Sequence, residues 1–209
     1  MYIPKAFQLP PSELANILWQ YPFGVLTSVQ GQDVVATHLP LLYRDGENPQ
    51  LLGHLARANS HWQGLAGASV LAIFSGPDGY ISPEWYGEEF SVPTWNYVAI
   101  HIRGTCEIVD QAPGIADILQ ALLKRFEPQT KALWEEKLTR APYVQMLEEI
   151  VGVRIHITSV EGKAKLGQNR SVASRIGAIL GLRRTNEPVN HRLAALMEET
   201  LGPDDPLES

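Results

Sequence analysis

The stretch LLGHLARANSHW, residues 51–62, changes character halfway along its length. Its first half is rich in leucine, which is typical of a buried strand, whereas its second half is polar. Asn59 and Ser60 are residue types that favour the first position of a helix. The pattern therefore predicts a strand that runs into a short helix beginning near His61.

The polar half of this stretch has two interpretations. Arg57, Asn59, Ser60 and His61 offer a guanidinium, an amide, a hydroxyl and an imidazole, and a helix start adds backbone N–H groups. Such a set could hold a phosphate. Alternatively, residues 59–60 form a plain helix cap without a ligand. The standard nucleotide-binding loops, GxxxxGKS/T and GxGxxG, are absent after any predicted strand, so spacing alone leaves both interpretations open.

Short strand patterns surround this stretch and predict the fold class. Pro40 lies inside one of them and indicates an irregular or edge strand, because proline cannot donate a hydrogen bond to a neighbouring strand. Residues 76–95 are rich in Gly, Pro and aromatic side chains and are predicted to form a long, structured loop. The other predicted strands cover residues 23–29, 34–43, 68–74, 96–109 and 151–165. Strands joined by short turns favour a small, mostly antiparallel barrel over a doubly wound parallel sheet.

Helical patterns are concentrated late in the chain. A short helix is predicted over residues 12–19, a longer one after Pro113, and another short one from Thr139. Residues 171–201 are predicted to form two amphipathic helices, broken around residues 185–188. The predicted organisation is a barrel domain over residues 1–170 with a helical extension, residues 171–209, packed on it.

Composition limits the functional classes. The chain has 209 residues, a hydrophobic content of 44% and a net charge of -6, which argues against a surface built wholly for nucleic acid. Its single cysteine, Cys106, lies among apolar strand residues and is expected to be a buried thiol. The sequence has no signal-peptide pattern and no long apolar run, so we expect a water-soluble cytoplasmic protein.

Motifs for the common kinds of catalysis are missing from the sequence. The six histidines form no HExxH pair, so a metal site is unsupported, while a haem would need only one axial histidine and stays open. No GxSxG motif is present, and we assign no catalytic residue. A stretch from Lys163 to Arg192 is basic, which predicts either contact with DNA or a cofactor phosphate, or a solvated helix face.

Several motifs together resemble one family. The motifs are MYIPKAF (1–7), ATHLPLL (36–42), GHLARANSHW (53–62), YISPEWY (80–86), VPTWNYVAIHIRG (92–104) and EIVGVRIHITSVEGKAKLGQN (149–169). Over nearly the whole chain they resemble the PaiB-like family of FMN-binding negative transcriptional regulators. The resemblance implies a mainly β fold with peripheral helices, a split antiparallel β-barrel similar to that of pyridoxamine-phosphate oxidases. It also implies a homodimer that holds FMN at the subunit interface.

The resemblance further implies a set of cofactor-binding residues. These are Ala36, Thr37, His38, Leu39, Pro40, His54, Leu55, Arg57, Asn59, Ser60, His61, Trp95, Asn96, Lys165 and Gln168. Residues 59–61 are expected at the phosphate, residues 54–55 at the ribityl chain or ring, and residues 36–40 along the flavin edge. The oxidases place an Arg and a Lys on this last strand, but ATHLP supplies neither. The phosphate charge is then expected to be met by Arg57, by His61 or by Lys165 or Arg170 of a partner chain.

Three functional hypotheses follow from these patterns. The first is a dimeric FMN-binding split barrel with a redox or sensing role and a regulatory phenotype. The second is a repressor that contacts DNA through its basic C-terminal segment. The third is a split barrel that binds haem. For Trp95, the alternative to a flavin contact is an anchor in the hydrophobic core.

Overall fold

A computed structural model describes residues 1–202, apart from the side chains of residues 131, 133 and 135. The strands are β1 (Phe23–Gln30), β2 (Asp33–Pro40), β3 (Leu42–Arg44), β4 (Gln50–Ala56), β5 (Ser69–Ile81), β6 (Thr94–Val109) and β7 (Ile150–Lys165). The helices are α1 (Pro11–Gln20), α2 (Ala112–Phe126), α3 (Lys131–Lys137), α4 (Ala141–Leu147), α5 (Val172–Arg183) and α6 (Pro188–Glu198). Short 3₁₀ helices cover Lys5–Phe7, Ser60–Gly64 and Pro83–Tyr86.

The seven strands form one antiparallel sheet in the order β2-β1-β5-β6-β7-β4-β3. Strands β1 and β2 form a hairpin in which Gln30 pairs with Asp33 and Phe23 with Pro40. Gly31 has a φ of 65° in the turn of this hairpin, a left-handed conformation that glycine adopts without strain. Pro40 ends β2, and β2 and β3 are the two outer strands, as the proline predicted.

The chain divides into two compact units. The central unit consists of residues 15–74 and 101–160, and the terminal unit consists of residues 1–14, 75–100 and 161 onward. The predicted division into residues 1–170 and 171–209 stays a prediction, and its last seven residues, 203–209, lie outside the described residues.

A hydrophobic cluster in the central unit joins its helices to its strands. Leu52 of β4 and Val109 of β6 pack with Ile118 and Leu122 of α2 and with Leu147 of α4. The leucine and isoleucine spacing that predicted α2 places these buried side chains on one face of the helix. Gly152 of β7 permits this packing, because a Cβ atom there would lie 2.7 Å from Ile118.

In the terminal unit, the N-terminal segment is fastened to the end of β7. The Leu9 N–H donates to the Gly162 carbonyl at 3.0 Å, and the terminal amine of Met1 pairs with Glu161 at 2.6 Å. Helix α5 passes very close to the 3₁₀ helix at Pro83–Tyr86, where Gly177 and Gly181 leave room for Trp85. The predicted break between two C-terminal helices is confirmed by the bounds of α5 and α6.

Some elements of the structure differ from the predictions. The predicted loop over residues 76–95 is wrong at its start, because β5 continues through Pro77 and Gly79 to Ile81. Pro77 and Gly79 are buried within this strand, so a sequence rich in Gly and Pro remains extended here. Helix α3 was not predicted. Within the described residues, no helix is long and apolar enough to cross a membrane.

Candidate functional site

The stretch at residues 51–62 forms the predicted strand and cap. Strand β4 ends at Ala56, and a 3₁₀ helix covers Ser60–Gly64. Asn59 caps this helix: its side-chain oxygen accepts a hydrogen bond from the His61 N–H at 3.0 Å. The predicted cap is therefore confirmed, with a 3₁₀ helix rather than an α-helix after it.

His61 is the centre of a hydrogen-bond network in the central unit. Its ring is 1% exposed, with Nε2 2.9 Å from the Ser28 hydroxyl and Nδ1 2.8 Å from the Thr37 hydroxyl. The Asn59 side-chain amide donates to the Thr37 hydroxyl at 3.1 Å, and Gln30 donates to the His61 carbonyl at 2.8 Å. Burial lowers the pKa of His61, so the ring is neutral at pH 7.

This network gives His61 a structural role, since it joins β1, β2 and the 3₁₀ helix. Both ring nitrogens already have hydroxyl partners, which weighs against a phosphate contact from the ring itself. Ser60, next to it, is exposed and keeps its hydroxyl at the surface. Ser28 and Thr37 were not predicted partners of His61, because they lie on other strands, 33 and 24 residues away in the sequence.

Arg57 is turned toward the helices of the central unit. Its guanidinium pairs with Asp110 at 2.5 Å and donates to the carbonyls of Glu148, at 2.6 Å, and Ile150, at 3.0 Å. The indole N–H of Trp62 donates to the Arg57 carbonyl at 2.9 Å. These contacts fasten the 3₁₀ segment to the start of α2 and of β7, so the guanidinium is engaged there rather than with Ser60.

His54 carries a buried polar atom without a partner. It lies on β4 between Gly53 and Leu55, whose positions face the opposite side of the strand, and Leu55 is buried. Burial lowers the pKa of His54. Among the described residues, nothing forms a hydrogen bond with its Nδ1 atom. A buried acceptor or donor left in this state costs roughly 1–3 kcal/mol, which is a reason to look for a ligand group there.

Strand β2 offers an open edge of the sheet. Ala36, His38 and Pro40 are exposed, Thr37 belongs to the His61 network, and Leu39 is 3% exposed in the core. The ring of His38 stacks on Phe23, with the ring centroids 6.3 Å apart. As an outer strand, β2 is paired with β1 alone among the described strands, so part of its backbone can donate to and accept from another molecule.

The terminal unit contains the remaining predicted residues. Trp95 is 53% exposed, so it is not an anchor in the hydrophobic core. Asn96 is buried and donates to the Met197 sulfur at 3.4 Å, which gives it a structural contact. Gln168 closes the turn after β7: it accepts from the Leu166 N–H at 2.8 Å and donates to the Ala164 carbonyl at 2.7 Å.

Three cations come together at the end of β7. Lys165 donates to the Thr94 hydroxyl and, at 2.8 Å, to the Trp95 carbonyl. Lys163 is 8% exposed, donates to the Tyr2 carbonyl at 3.3 Å and has its ammonium 5.1 Å from the centre of the Tyr97 ring. We call Lys163, Lys165 and Arg170 the cation group.

The positive charges of the cation group repel one another, and burial makes the charge of Lys165 less favourable. Burial lowers the pKa of Lys165; the tyrosine at position 97 opposes this shift, and the positive charges of Lys163 and Arg170 add to it. Arg170 pairs with Glu88 at 2.7 Å and lies over the Tyr86 ring, 4.6 Å from its centre. The hydrogen-bond acceptors of the two lysines, in contrast, are neutral oxygens.

The cation group suits an anion. Ammonium groups held against neutral acceptors keep an uncompensated charge, and a phosphate oxygen is a strong partner for it. The sequence predicted a phosphate role for Lys165 and Arg170 and placed Lys163 in the basic stretch, but Tyr97 was not predicted. Residues 163 and 165 are two apart on a strand and so face the same side. Among the side chains that the structure describes, no three His, Cys, Asp or Glu form a metal-binding cluster.

Comparisons with known proteins agree on one family. A family model described as "Putative FMN-binding domain" matches residues 1–159. The chain is similar to the protease synthase and sporulation protein PAI 2 of Bacillus subtilis, with 33% identity over 96% of this chain and 98% of that protein.

Solved structures share the fold. A FAD- and haem-binding protein from Mycobacterium smegmatis superposes with a TM-score of 0.58 and 20% identity, over 75% of this chain and 71% of that one. The flavocytochrome Anf3 from Azotobacter vinelandii gives a TM-score of 0.58 and 16% identity, over 74% of this chain and 67% of that one. The predicted fold class, a mainly β split barrel with peripheral helices, is confirmed.

Proposed function

Because the chain belongs to the family of FMN-binding domains, we propose that two copies of it bind FMN and act together as a regulatory flavoprotein. FMN is the cofactor that the family model assigns to such a domain. When bound, FMN supplies hydride or electron transfer, and the protein supplies orientation and hydrogen bonds. The proposed role is redox chemistry or ligand sensing with a regulatory phenotype, and the Bacillus relative is named as a protease synthase and sporulation protein.

The cation group carries the proposal for the phosphate of FMN. Lys163 and Lys165 are placed against neutral oxygens and aromatic rings, and a phosphate dianion would compensate their charges. Burial of Lys165 makes this compensation more valuable, since charges interact more strongly away from water. The group lies beyond residue 159, where the family match ends, so this assignment rests on the contacts of this chain.

Trp95 is the aromatic surface next to the cation group. Its carbonyl accepts from Lys165 at 2.8 Å while more than half of its surface is exposed. An exposed indole can stack on a flat ring system, and the backbone of this residue is joined to Lys165. Asn96 and Gln168, in contrast, are proposed to shape this region rather than to touch the cofactor, because both side chains have partners within the chain.

A second region proposed for flavin contact lies in the central unit. It consists of the exposed edge of β2, residues 36–40, together with Asn59 and Ser60. Edge-strand N–H and C=O groups match the alternating donors and acceptors of a flavin ring. His54, with its unsatisfied Nδ1, is proposed as a further polar contact, whereas Leu55, His61 and Arg57 support the region from within the protein.

The test compares FMN with riboflavin, which lacks the phosphate. Quenching of flavin fluorescence by the purified protein should show tight binding of FMN and weaker binding of riboflavin. Lys165→Met should lower the FMN affinity by roughly 10- to 100-fold, the worth of one charged hydrogen bond, and leave riboflavin nearly unchanged. Lys124→Met, an exposed lysine on α2, is the matched control and should change neither affinity.

The outcomes separate the two levels of the proposal. If neither flavin binds the unaltered protein, the proposed function fails. If both flavins bind equally well, or if Lys165→Met weakens both to the same extent, FMN binding stands and the phosphate assignment fails.

Direct DNA binding gains little support from the basic stretch. Of its seven cations, Lys163, Lys165 and Arg170 form the cation group, Arg175 donates to Thr200, and Arg183 pairs with Glu198. Arg183, Arg184 and Arg192 are the exposed members of these seven, and the charge of Arg183 is already met by Glu198. A gel-shift assay across salt concentrations tests the repressor hypothesis, and a haem titration read by absorbance tests the third hypothesis.

A further inference from the structure

A pocket lies in the central unit, among the helices inserted between β6 and β7. It has a volume of about 310 Å³. Helices α2 and α4, the end of α3 and the start of β7 form its walls. The lining residues are Leu119, Leu123, Trp134, Leu138, Tyr143, Met146, Leu147 and Ile150. Each has an aliphatic, aromatic or thioether side chain, and Tyr143 carries the one hydroxyl among them.

The base of this pocket is buried and its mouth is exposed. Leu147 is 6% exposed and belongs to the hydrophobic cluster that joins α2 to the strands. Met146, the next residue along, is 63% exposed. An apolar hollow that opens to water is unfavourable when empty, and concave apolar hollows of this size are typical of small-molecule sites. Methionine at the mouth can adapt to ligands of different outline.

Two aromatic rings give the pocket a defined shape. The rings of Trp134 and Tyr143 are nearly perpendicular, at 88°, with centroids 6.2 Å apart. This edge-to-face arrangement fixes both rings. The space matches the volume of about ten water molecules, which suits a compact molecule rather than a protein segment.

A positive charge stands at the aromatic wall. The ammonium of Lys137 lies 4.5 Å from the centre of the Trp134 ring. Arg140, one turn further on, is ion-paired with Glu136. An acidic group on a ligand could reach Lys137 while the rest of the ligand remains among apolar side chains.

We infer that this pocket binds a small amphipathic acid, with its apolar body against Trp134 and Tyr143 and its anionic group toward Lys137. The site is separate in residues from the cation group and from β2, so it would serve as an effector site and not as part of flavin binding. The proposal holds whether or not the protein binds FMN.

The test uses anilinonaphthalenesulfonate, a fluorescent probe with an aromatic body and one anionic group. Titrations are run with FMN present in excess, so that any flavin site is filled. We expect saturable binding of one probe per chain with micromolar affinity, and displacement by decanoate. Leu123→Trp, which fills the pocket, should abolish binding, and circular dichroism melts verify that this variant is folded.

Charge variants test the anionic contact. Lys137→Glu should lower the affinity for the probe and for decanoate by about tenfold, which corresponds to about 1.4 kcal/mol of binding free energy. Lys124→Glu makes the same change in net charge at an exposed site on α2 and should have no effect. Met146 is exposed, so the fold should tolerate Met146→Glu, and this variant should also reduce binding of the probe.

The inference is overturned by any of three results. The first is non-saturable binding or none. The second is binding that a folded Leu123→Trp variant or Met146→Glu leaves unchanged. The third is an equal effect of Lys137→Glu and Lys124→Glu on probe binding, which would show that the ligand's anionic group does not contact Lys137.

Discussion

His61 connects three pieces of the central unit through an uncharged side chain. Its ring lies between hydroxyls of β1 and β2, and its N–H closes the cap of the 3₁₀ helix. Burial is the reason why its pKa is lowered, and both ring nitrogens have hydroxyl partners. The sequence predicted the cap at Asn59 from local preference, but the hydroxyl partners come from distant strands and no local pattern encodes them.

The lowered pKa values of His61 and His54 predict acid sensitivity. The folded protein keeps these rings neutral, whereas the unfolded chain takes up protons near pH 6.5. The free energy of unfolding should therefore be fully retained above about pH 6.5 and should fall below it, until the folded pKa values are reached. The slope is at most about 1.4 kcal/mol per pH unit for each ring.

Urea unfolding at pH 7.5 and pH 5.5 measures this effect. His61→Gln should flatten the dependence, and His191→Gln, at an exposed histidine, should leave it as it is. Greater stability at the lower pH would contradict the prediction.

Cys106 is predicted to be inert in the native protein. It is 1% exposed, and burial, helped by the charge of Glu107, raises the pKa of its thiol to about 12. Thiolate is the reactive form, and it is about one part in ten thousand at pH 8. Iodoacetamide should label Cys106 only after unfolding, as read by intact mass. Labelling of the folded protein at the rate of the unfolded chain would show that the thiol is accessible.

At the scale of elements, periodicity predicted most of the fold. Alternating apolar residues located β6 and β7, apolar strand patterns located β1 and β4, and helical spacing located α2, α5 and α6. The continuation of β5 past Gly76 escaped prediction because Gly and Pro normally interrupt strands. Gly79 lets the C-terminal helices pack closely there, since a Cβ atom would lie 2.7 Å from the end of the Asn190 side chain. Such close approaches depend on partners far away in the sequence.

The contact of α5 with the 3₁₀ helix at Pro83–Tyr86 gives a prediction with a clear sign. Replacing glycine by alanine within a helix normally stabilises it by up to about 1 kcal/mol. Gly181→Ala should instead destabilise the protein by roughly 1–3 kcal/mol, because the new Cβ atom would lie 2.2 Å from the Trp85 ring. Thermal melts of Gly181→Ala, Trp85→Leu and the double variant measure this. If the clash is the cause, Gly181→Ala costs less when Trp85→Leu is also present.

At the scale of the whole molecule, sequence resemblance was more informative than composition. The net charge of -6 argued against DNA binding but did not indicate which ligand the protein binds. The motifs, in contrast, identified the family and the fold. The motifs did not distinguish side chains that could contact a ligand from those that support the structure. Asn96 and Gln168 belong to such motifs, yet their polar atoms bond within the chain.

The proposed dimer predicts a mass and a concentration dependence. Light scattering should give twice the 23.2 kDa of one chain. If FMN needs both copies, its apparent affinity should weaken on dilution below the dimer dissociation constant. A monomer that binds FMN with an affinity independent of protein concentration would refute shared binding and leave flavin binding itself intact.

The exposed edge of β2 also bears on handling the protein. An outer strand with free backbone groups can pair with a strand of another molecule, which is a route to aggregation. Val34, near its start, is 74% exposed, and such a side chain favours that pairing. Whatever covers this edge, a second copy or a flavin, would therefore act as a solubility factor. Protein stripped of flavin should precipitate sooner than flavin-loaded protein, and adding FMN back should delay its precipitation.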